Sequence, residues 1–302
     1  MKNYLTQTAI LALLLAAPHA HAALAVFACE PEWAALANEI GGDQVKAESA
    51  ITAFQDPHYI QARPSLIARV RRADLVICSG ADLEIGWLPL LLRQASNPRV
   101  QVGAKGLMTA SDYVDLLDKP DVVDRAQGDI HPSGNPHIQT DPRNIAKVAT
   151  ALADRLASLD PDHAAAYAAN YKDFSQRWNA AIQHWTAEAQ PIRGTAIVIH
   201  HKSWVYMCNW LGLREAGALE PKPGVPPSAS HLADLLQQLK GQSDVRMIVR
   251  SAYQNSRGSE WLSDRTHIPA VVIPQTVGAA DGTDDLFGLF DVMIERLLHP
   301  DQ

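Results

Sequence analysis

No run of basic residues, no second long apolar stretch and very little cysteine occur in this chain, and each absence removes a class of function. With 26 Lys and Arg against 33 Asp and Glu, for a net charge of −7, the chain offers no electrostatic footprint for nucleic acid or anionic lipid. Beyond residue 22 no stretch of about eighteen apolar residues occurs, so no membrane-spanning helix is expected there. Three cysteines allow at most one internal bridge. Gly-x-Ser-x-Gly, P-loop and glycine-rich dinucleotide motifs are missing too, which leaves the common enzyme signatures without support.

What is present begins with an export signal. Lys2 precedes an apolar run over residues 9–17, and Ala20-His21-Ala22 has the small-x-small pattern of a cleavage site. Residues 1–22 are therefore read as a signal peptide, and a mature, soluble periplasmic chain is expected to start near Ala23. No cysteine stands at the cleavage point, so no lipid anchor is expected. About 280 residues remain, enough for two ordinary domains. In an oxidising compartment the cysteines invite pairing. Cys29 and Cys78 close apolar runs over 24–29 and 74–78 that read as neighbouring strands, and a bridge between them is favoured; Cys208 reads as a buried free thiol.

Short β-rich runs alternate with helical ones, the signature of an α/β fold with parallel strands. Strands are expected over 24–29, 44–50, 74–78 and 99–102, with helices over 32–40, 66–72 and 83–95 between and after them. Ile145, Val148, Leu152 and Leu156 recur at helical spacing in 144–159. A second helix then restarts at Asp160-Pro161. Along it Tyr167, Tyr171, Phe174, Trp178, Ala181 and Trp185 fall at steps of four and three residues, a stripe that ends before Pro191. Some 28 residues at ~1.5 Å each would span roughly 40 Å, the length of two domains. The stripe reads as core, and its consequence would be stiffness. The second half repeats the alternation, with strands over 195–200, 213–218, 245–249 and 270–273 and a final helix over 285–298. The expected division is a lobe over 23–159, a linking helix over 160–190 and a second lobe over 191–302.

The candidate chemistry lies in histidines that follow strands. Gly134-Asn135-Pro136-His137 is followed by Asp141-Pro142, so His137 stands between prolines that fix φ, ahead of a helix that Asp141 would cap and Pro142 would open. Gln55-Asp56-Pro57-His58 closes one strand-like run and Ile199-His200-His201 closes another. In open parallel sheets ligands bind beyond the carboxyl ends of strands. Asp284 occupies the corresponding place after the last strand, with Asp281 and Asp285 as competitors. Three imidazoles and a carboxylate suit tetrahedral Zn²⁺ at about 2.0–2.2 Å. Mg²⁺ or Ca²⁺ would want more oxygens, and Mn²⁺ a carboxylate in place of one histidine. A lone histidine is more often a cap, a core residue or a solvated side chain. That ordinary reading is given to His163, His184, His231, His267 and His299, and to His131 on its loop, where a transient role in handling metal is the alternative.

Asp56-Pro57-His58 with Arg63-Pro64-Ser65, Ala73-Asp74-Leu75-Val76 with Gly80-Ala81-Asp82-Leu83-Glu84, Gly134-Asn135-Pro136-His137 with Asp141-Pro142, and His201-Lys202-Ser203-Trp204-Val205-Tyr206 resemble the zinc/manganese substrate-binding proteins of bacterial ABC importers. The similarity covers essentially the whole mature chain and keeps the motif order. It implies two βα sandwich lobes, with mainly parallel sheets, joined by one long rigid helix, and a metal held in the cleft between them. It also implies metal ligands at His58, His137, His201 and Asp284, with His201 preferred over His200 because Tyr206 lies five residues on. The implied function is capture of Zn²⁺ for an ABC permease in the inner membrane, by a monomer, with a periplasmic metallochaperone as an additional candidate partner. The chain departs from many zinc-binding members in lacking a long His/Asp-rich loop, having only residues 127–133. Arg250 stands at a strand end where some relatives carry a carboxylate, which disfavours a manganese-type set. Release by loop rearrangement around His137 or Asp284, not by wide hinge opening, would follow from the rigid helix. The rival readings are a zinc-dependent hydrolase with Asp284 or Glu30 as base, a Mn²⁺ carrier and a surface adhesin.

Overall fold

The computed structural model describes residues 22–124, 126 and 128–301, so the expected signal segment through His21 lies outside the described residues. Two sheets of four parallel strands form the frame. The first holds β1 (Leu24–Ala28), β2 (Val45–Ser49), β3 (Leu75–Cys78) and β4 (Leu107–Thr109) in the order β2-β1-β3-β4. The second holds β5 (Ala196–Ile199), β6 (Arg214–Ala218), β7 (Val245–Arg250) and β8 (Ala270–Val272) in the order β6-β5-β7-β8. Each parallel step needs a crossover, and the helices α1 (Pro31–Gly41), α2 (Pro64–Arg72), α6 (Val205–Leu211), α7 (Ala229–Leu239) and α8 (Arg257–Thr266) run between successive strands. Val26 pairs with Leu75 in the first sheet and Ile248 with Ala270 in the second, so within each sheet the carboxyl ends of the strands lie along one edge.

Proline and a side-chain cap start α4 (Pro142–Leu159), where Asp141 accepts from the backbone N–H of Arg143 at 2.9 Å. The long helix α5 (Ala164–Glu188) has 25 residues, preceded by a short turn over Pro161–His163, and at ~1.5 Å per residue it runs about 37 Å. Tyr167, Phe174, Trp178 and Trp185 on it are buried. Two indoles fasten it to different halves. Trp178 donates to the carbonyl of Pro142 at 2.8 Å, and Trp185 to Asp291 on the last helix, α9 (Leu286–Leu298), at 2.6 Å. Their rings also meet Phe287 and Phe290 of α9 at 4.9–5.1 Å between centroids. One continuous core therefore runs from Val26, Leu75 and Ile77 through α4 and α5 to Ile197, Met247 and Val249, while the outer face of each sheet has a smaller core of its own.

Cys29 and Cys78 are bridged, joining the ends of β1 and β3, and Cys208 is a buried free thiol that burial pushes well above the usual range. Two expected elements differ. The fourth strand is Leu107–Thr109, not 99–102: Pro98–Val100 forms a tight turn whose Asn97 side chain accepts from Arg99 N–H, and Val100 is buried from that turn. The helix expected over 83–95 is α3 (Leu88–Ala95): residues 83–87 form turns, Trp87 is the non-helical cap at φ −139°, and Pro89 stands in the opening turn, where its fixed φ and missing N–H are tolerated.

Candidate metal centre

Three loops that leave the strand ends bring His58, His137 and His201 together. Their ring centroids are 5.4, 5.4 and 5.5 Å apart, and one nitrogen from each lies within 4.8 Å of the others. Each ring is held from behind. Asp56 accepts from the backbone N–H of His58 at 3.0 Å and meets its Nδ1 at 2.7 Å, while Trp87 donates to the carbonyl of Pro57 at 2.9 Å. Glu220, just past β6, meets His201 Nδ1 at 2.7 Å and also accepts from the Gly224 N–H. His137 Nδ1 faces the side-chain amide of Gln275 at 3.1 Å. A carboxylate can only accept, so Asp56 and Glu220 keep the proton on Nδ1 and leave Nε2 with its lone pair. The Nε2 atoms of His58 and His137 are buried and without a hydrogen-bond partner among the described residues, the kind of unmet polar group that calls for a bound ion or ligand as its explanation.

The backbone at His137 is fixed by a cross-molecule network. Its N–H donates to Asn135 Oδ1, Asn135 Nδ2 donates to the carbonyl of Lys202 at 2.6 Å, and the Tyr206 hydroxyl donates to the carbonyl of Asn135 at 2.6 Å. Burial first, then the neighbouring charges of His58, His201 and His131, holds the His137 pKa well below the ordinary imidazole range. The ring is therefore neutral, as a metal ligand must be. Burial also raises Asp56, but the hydrogen bond and charge of His58 outweigh it, and the carboxyl ends below its usual value.

Of the four ligands expected from the sequence, Asp284 is not in this group. It is exposed, as is Asp281, while Asp285 is committed to capping α9 by accepting from Gly288 N–H at 2.8 Å. The turn closed by Gly278 N–H on the carbonyl of Thr283 points those acids outward. The residue that does reach the histidines after β8 is Gln275, which sequence reasoning missed. Nor was Glu220 singled out, although its place at the end of β6 was the available signal. His200 lies outside the three-histidine group, with its Nε2 3.8 Å from Glu220. Glu30, the candidate base, accepts from both the N–H and the hydroxyl of Ser79, away from the histidines. It shares a buried pocket of acid with Glu32 and Glu84. Burial raises all three, Glu32 and Glu84 to about 7.

His131 is not a solvated loop residue. Its ring lies 5.4 Å from that of His58, both ring nitrogens are buried and unpartnered among the described residues, and burial together with the charges of His58 and His201 lowers its pKa to about 4. The loop carrying it is tied to the second half: Asp129 N–H donates to the carbonyl of Pro223 at 2.9 Å, and Lys222 reaches the carbonyl of Ala126 at 2.7 Å. Gly128 permits this, because a Cβ there would sit 2.2 Å from the Pro223 oxygen and its φ is +90°. An open cavity of about 420 Å³, lined by Asp118, His131, His137 and His201 among others, leads to the rings.

Residues 26–299 match the family model described as zinc-uptake complex component A, periplasmic. The chain belongs to that family. Within it, the high-affinity zinc uptake system protein ZnuA of Yersinia pestis is 27% identical over 257 residues, covering 79% of each chain. The protein of the same description from Paracoccus denitrificans is 25% identical over 248 residues, covering 71% of this chain and 72% of its own. A ZnuA crystal structure superposes with a TM-score of 0.76 at 23% identity, covering 90% of this chain and 97% of that one. A cadmium-bound periplasmic metal-binding protein from Candidatus Liberibacter asiaticus gives 0.73 at 17%, covering 91% and 98%. At those identities the structures speak for the shared fold. Among the described residues no helix is long and apolar enough to cross a membrane, and the family is a substrate-binding component of transport.

Proposed function

We propose that this protein captures Zn²⁺ in the periplasm through His58, His137 and His201 and delivers it to an ABC permease in the inner membrane. The observation that carries this reading is the convergence of three imidazoles whose far nitrogens are held, two of them by carboxylates. Tetrahedral zinc with bonds near 2.0 Å needs donor atoms roughly 3.3 Å apart. From a present limit of 4.8 Å, loading asks the rings to close by about 1.5 Å or less. His131, with two spare nitrogens, takes the fourth position in place of Asp284 when its loop settles onto the metal. An all-nitrogen set favours zinc over Mn²⁺, whose preference is for oxygen. With all four positions filled by protein no activated water remains, so the site binds and does not hydrolyse. Docking as a monomer and loading by a periplasmic metallochaperone complete the proposal.

Native mass spectrometry of protein purified without chelator tests it. One zinc per chain is expected, lost from His58→Ala and His201→Ala and weakened in His131→Ala, with Asp284→Ala unchanged. Zinc retained by both His58→Ala and His201→Ala would refute the site.

A further inference from the structure

His137 differs from the other two ligands in where its partner comes from. Asp56 lies two residues from His58, and Glu220 lies in the same half as His201. His137 belongs to the first half, but its Nδ1 is met by Gln275, which follows β8 in the second, 138 residues on. Gln275 is 5% exposed, and its Oε1 accepts from the Ser251 hydroxyl at 2.5 Å. The next residue, Thr276, donates its hydroxyl to Glu32 on α1. The dipeptide Gln275-Thr276 is thus fastened to the first half at two points, a ligand ring and a buried acid.

The chemistry of the holder differs as well as its origin. Asp56 and Glu220 offer only acceptors. A primary amide offers an acceptor and two donors, so it serves either tautomer of the ring it faces. With Nε2 of Gln275 toward the ring, as here, the amide donates to His137 Nδ1 and the neutral ring carries its proton on Nε2, where it blocks a metal. Turned over, Oε1 accepts from Nδ1–H, the amide nitrogen donates to Ser251 Oγ, and the ring Nε2 is free. The same heavy-atom positions accommodate both arrangements.

We infer that Gln275 is a positioning residue that sets the orientation and tautomer of His137 from across the interface between the halves, and that its amide keeps zinc affinity below what a carboxylate there would give. This rests on the zinc-capture reading above. Gln275→Glu, an acceptor when ionised, holds His137 with its proton on Nδ1; Gln275→Met fills the same space with no strong partner at all.

Competition titration against a zinc chelator should rank Gln275→Glu tightest, then the natural protein, then Gln275→Met, the last weaker than the natural protein by roughly 10–100-fold. Long-range ¹H–¹⁵N correlation on the metal-free proteins should show the His137 proton on Nδ1 in Gln275→Glu and a larger Nε2–H share in the natural protein, which a purely structural role would not produce. Affinities of Gln275→Met and Gln275→Glu both within threefold of the natural protein, or an unchanged His137 tautomer in Gln275→Glu, would overturn the inference. Failure of the natural protein itself to bind zinc would instead remove the parent reading.

Discussion

Both halves are built on a four-stranded parallel sheet with the equivalent strand order, β2-β1-β3-β4 and β6-β5-β7-β8, yet they contribute differently to the centre. The first supplies three rings, His58, His131 and His137. The second supplies one ring, His201, together with two of the groups that hold rings in place, Glu220 and Gln275. It also anchors the loop of His131 through Pro223. The first half is cross-linked by Cys29–Cys78 between β1 and β3, while the second holds the free Cys208 on α6. The lesson is that the donors alone do not make the site. His137 is aimed, and the loop of His131 anchored, by contacts from the other half, so the fixed relation of the halves belongs to the proposed metal centre. The helix α5, anchored by Trp178 on one side and Trp185 on the other, keeps that relation.

The comparison is broken most severely at that helix. Trp178→Ala removes a buried indole at the junction of α4, α5 and α9 and should cost about 3–5 kcal/mol of stability. Thermal unfolding of the metal-free protein checks it, and a loss below about 1 kcal/mol would mean that the halves are not joined through this stripe. A smaller effect separates the two carboxylate holders. Asp56→Asn and Glu220→Gln should each weaken zinc by roughly 10–100-fold. Glu220→Gln should also loosen the 220–224 turn, because Glu220 accepts from Gly224 N–H; hydrogen exchange at that amide should rise in this variant and stay unchanged in Asp56→Asn.

The smallest effect is one of pH. Burial raises the Glu32 carboxyl from its ordinary 4.5 to about 7, so the folded chain binds that proton more tightly than the unfolded one. The stability this lends is complete below about pH 4.5 and is lost as pH rises through about 7. His131 and His137 have lowered values, so their contribution is present above the ordinary 6.5 and lost as pH falls. Between pH 7 and 8 the carboxyls therefore dominate the difference. Melting temperature of the metal-free protein should fall with rising pH over that interval, and less steeply in Glu32→Gln; equal slopes would show that Glu32 carries no such proton.

Much of this was legible in the chain. Alternating β-rich and helical runs gave both sheets, Asp141-Pro142 gave the start of α4, and the aromatic spacing gave α5 with its buried face. Periodicity failed where apolar residues are buried from a turn, as at Val100, or where turns precede a helix that a proline opens, as over 83–87 ahead of Pro89. Rings at strand ends after proline announced His58 and His137. The groups behind them did not announce themselves, since a glutamate beside prolines and a glutamine past a strand become partners of a ring only when two distant segments are brought together. Asp284 illustrates the converse: an acid in a suggestive position along the chain is turned outward by its own loop.

X-ray absorption at the zinc edge of the loaded protein tests the central claim most directly. The account predicts a single zinc with four nitrogen or oxygen neighbours near 2.0 Å, at least three of them showing the outer-shell scattering of imidazole, and no sulfur. Two or fewer imidazoles, or a sulfur neighbour, would contradict it.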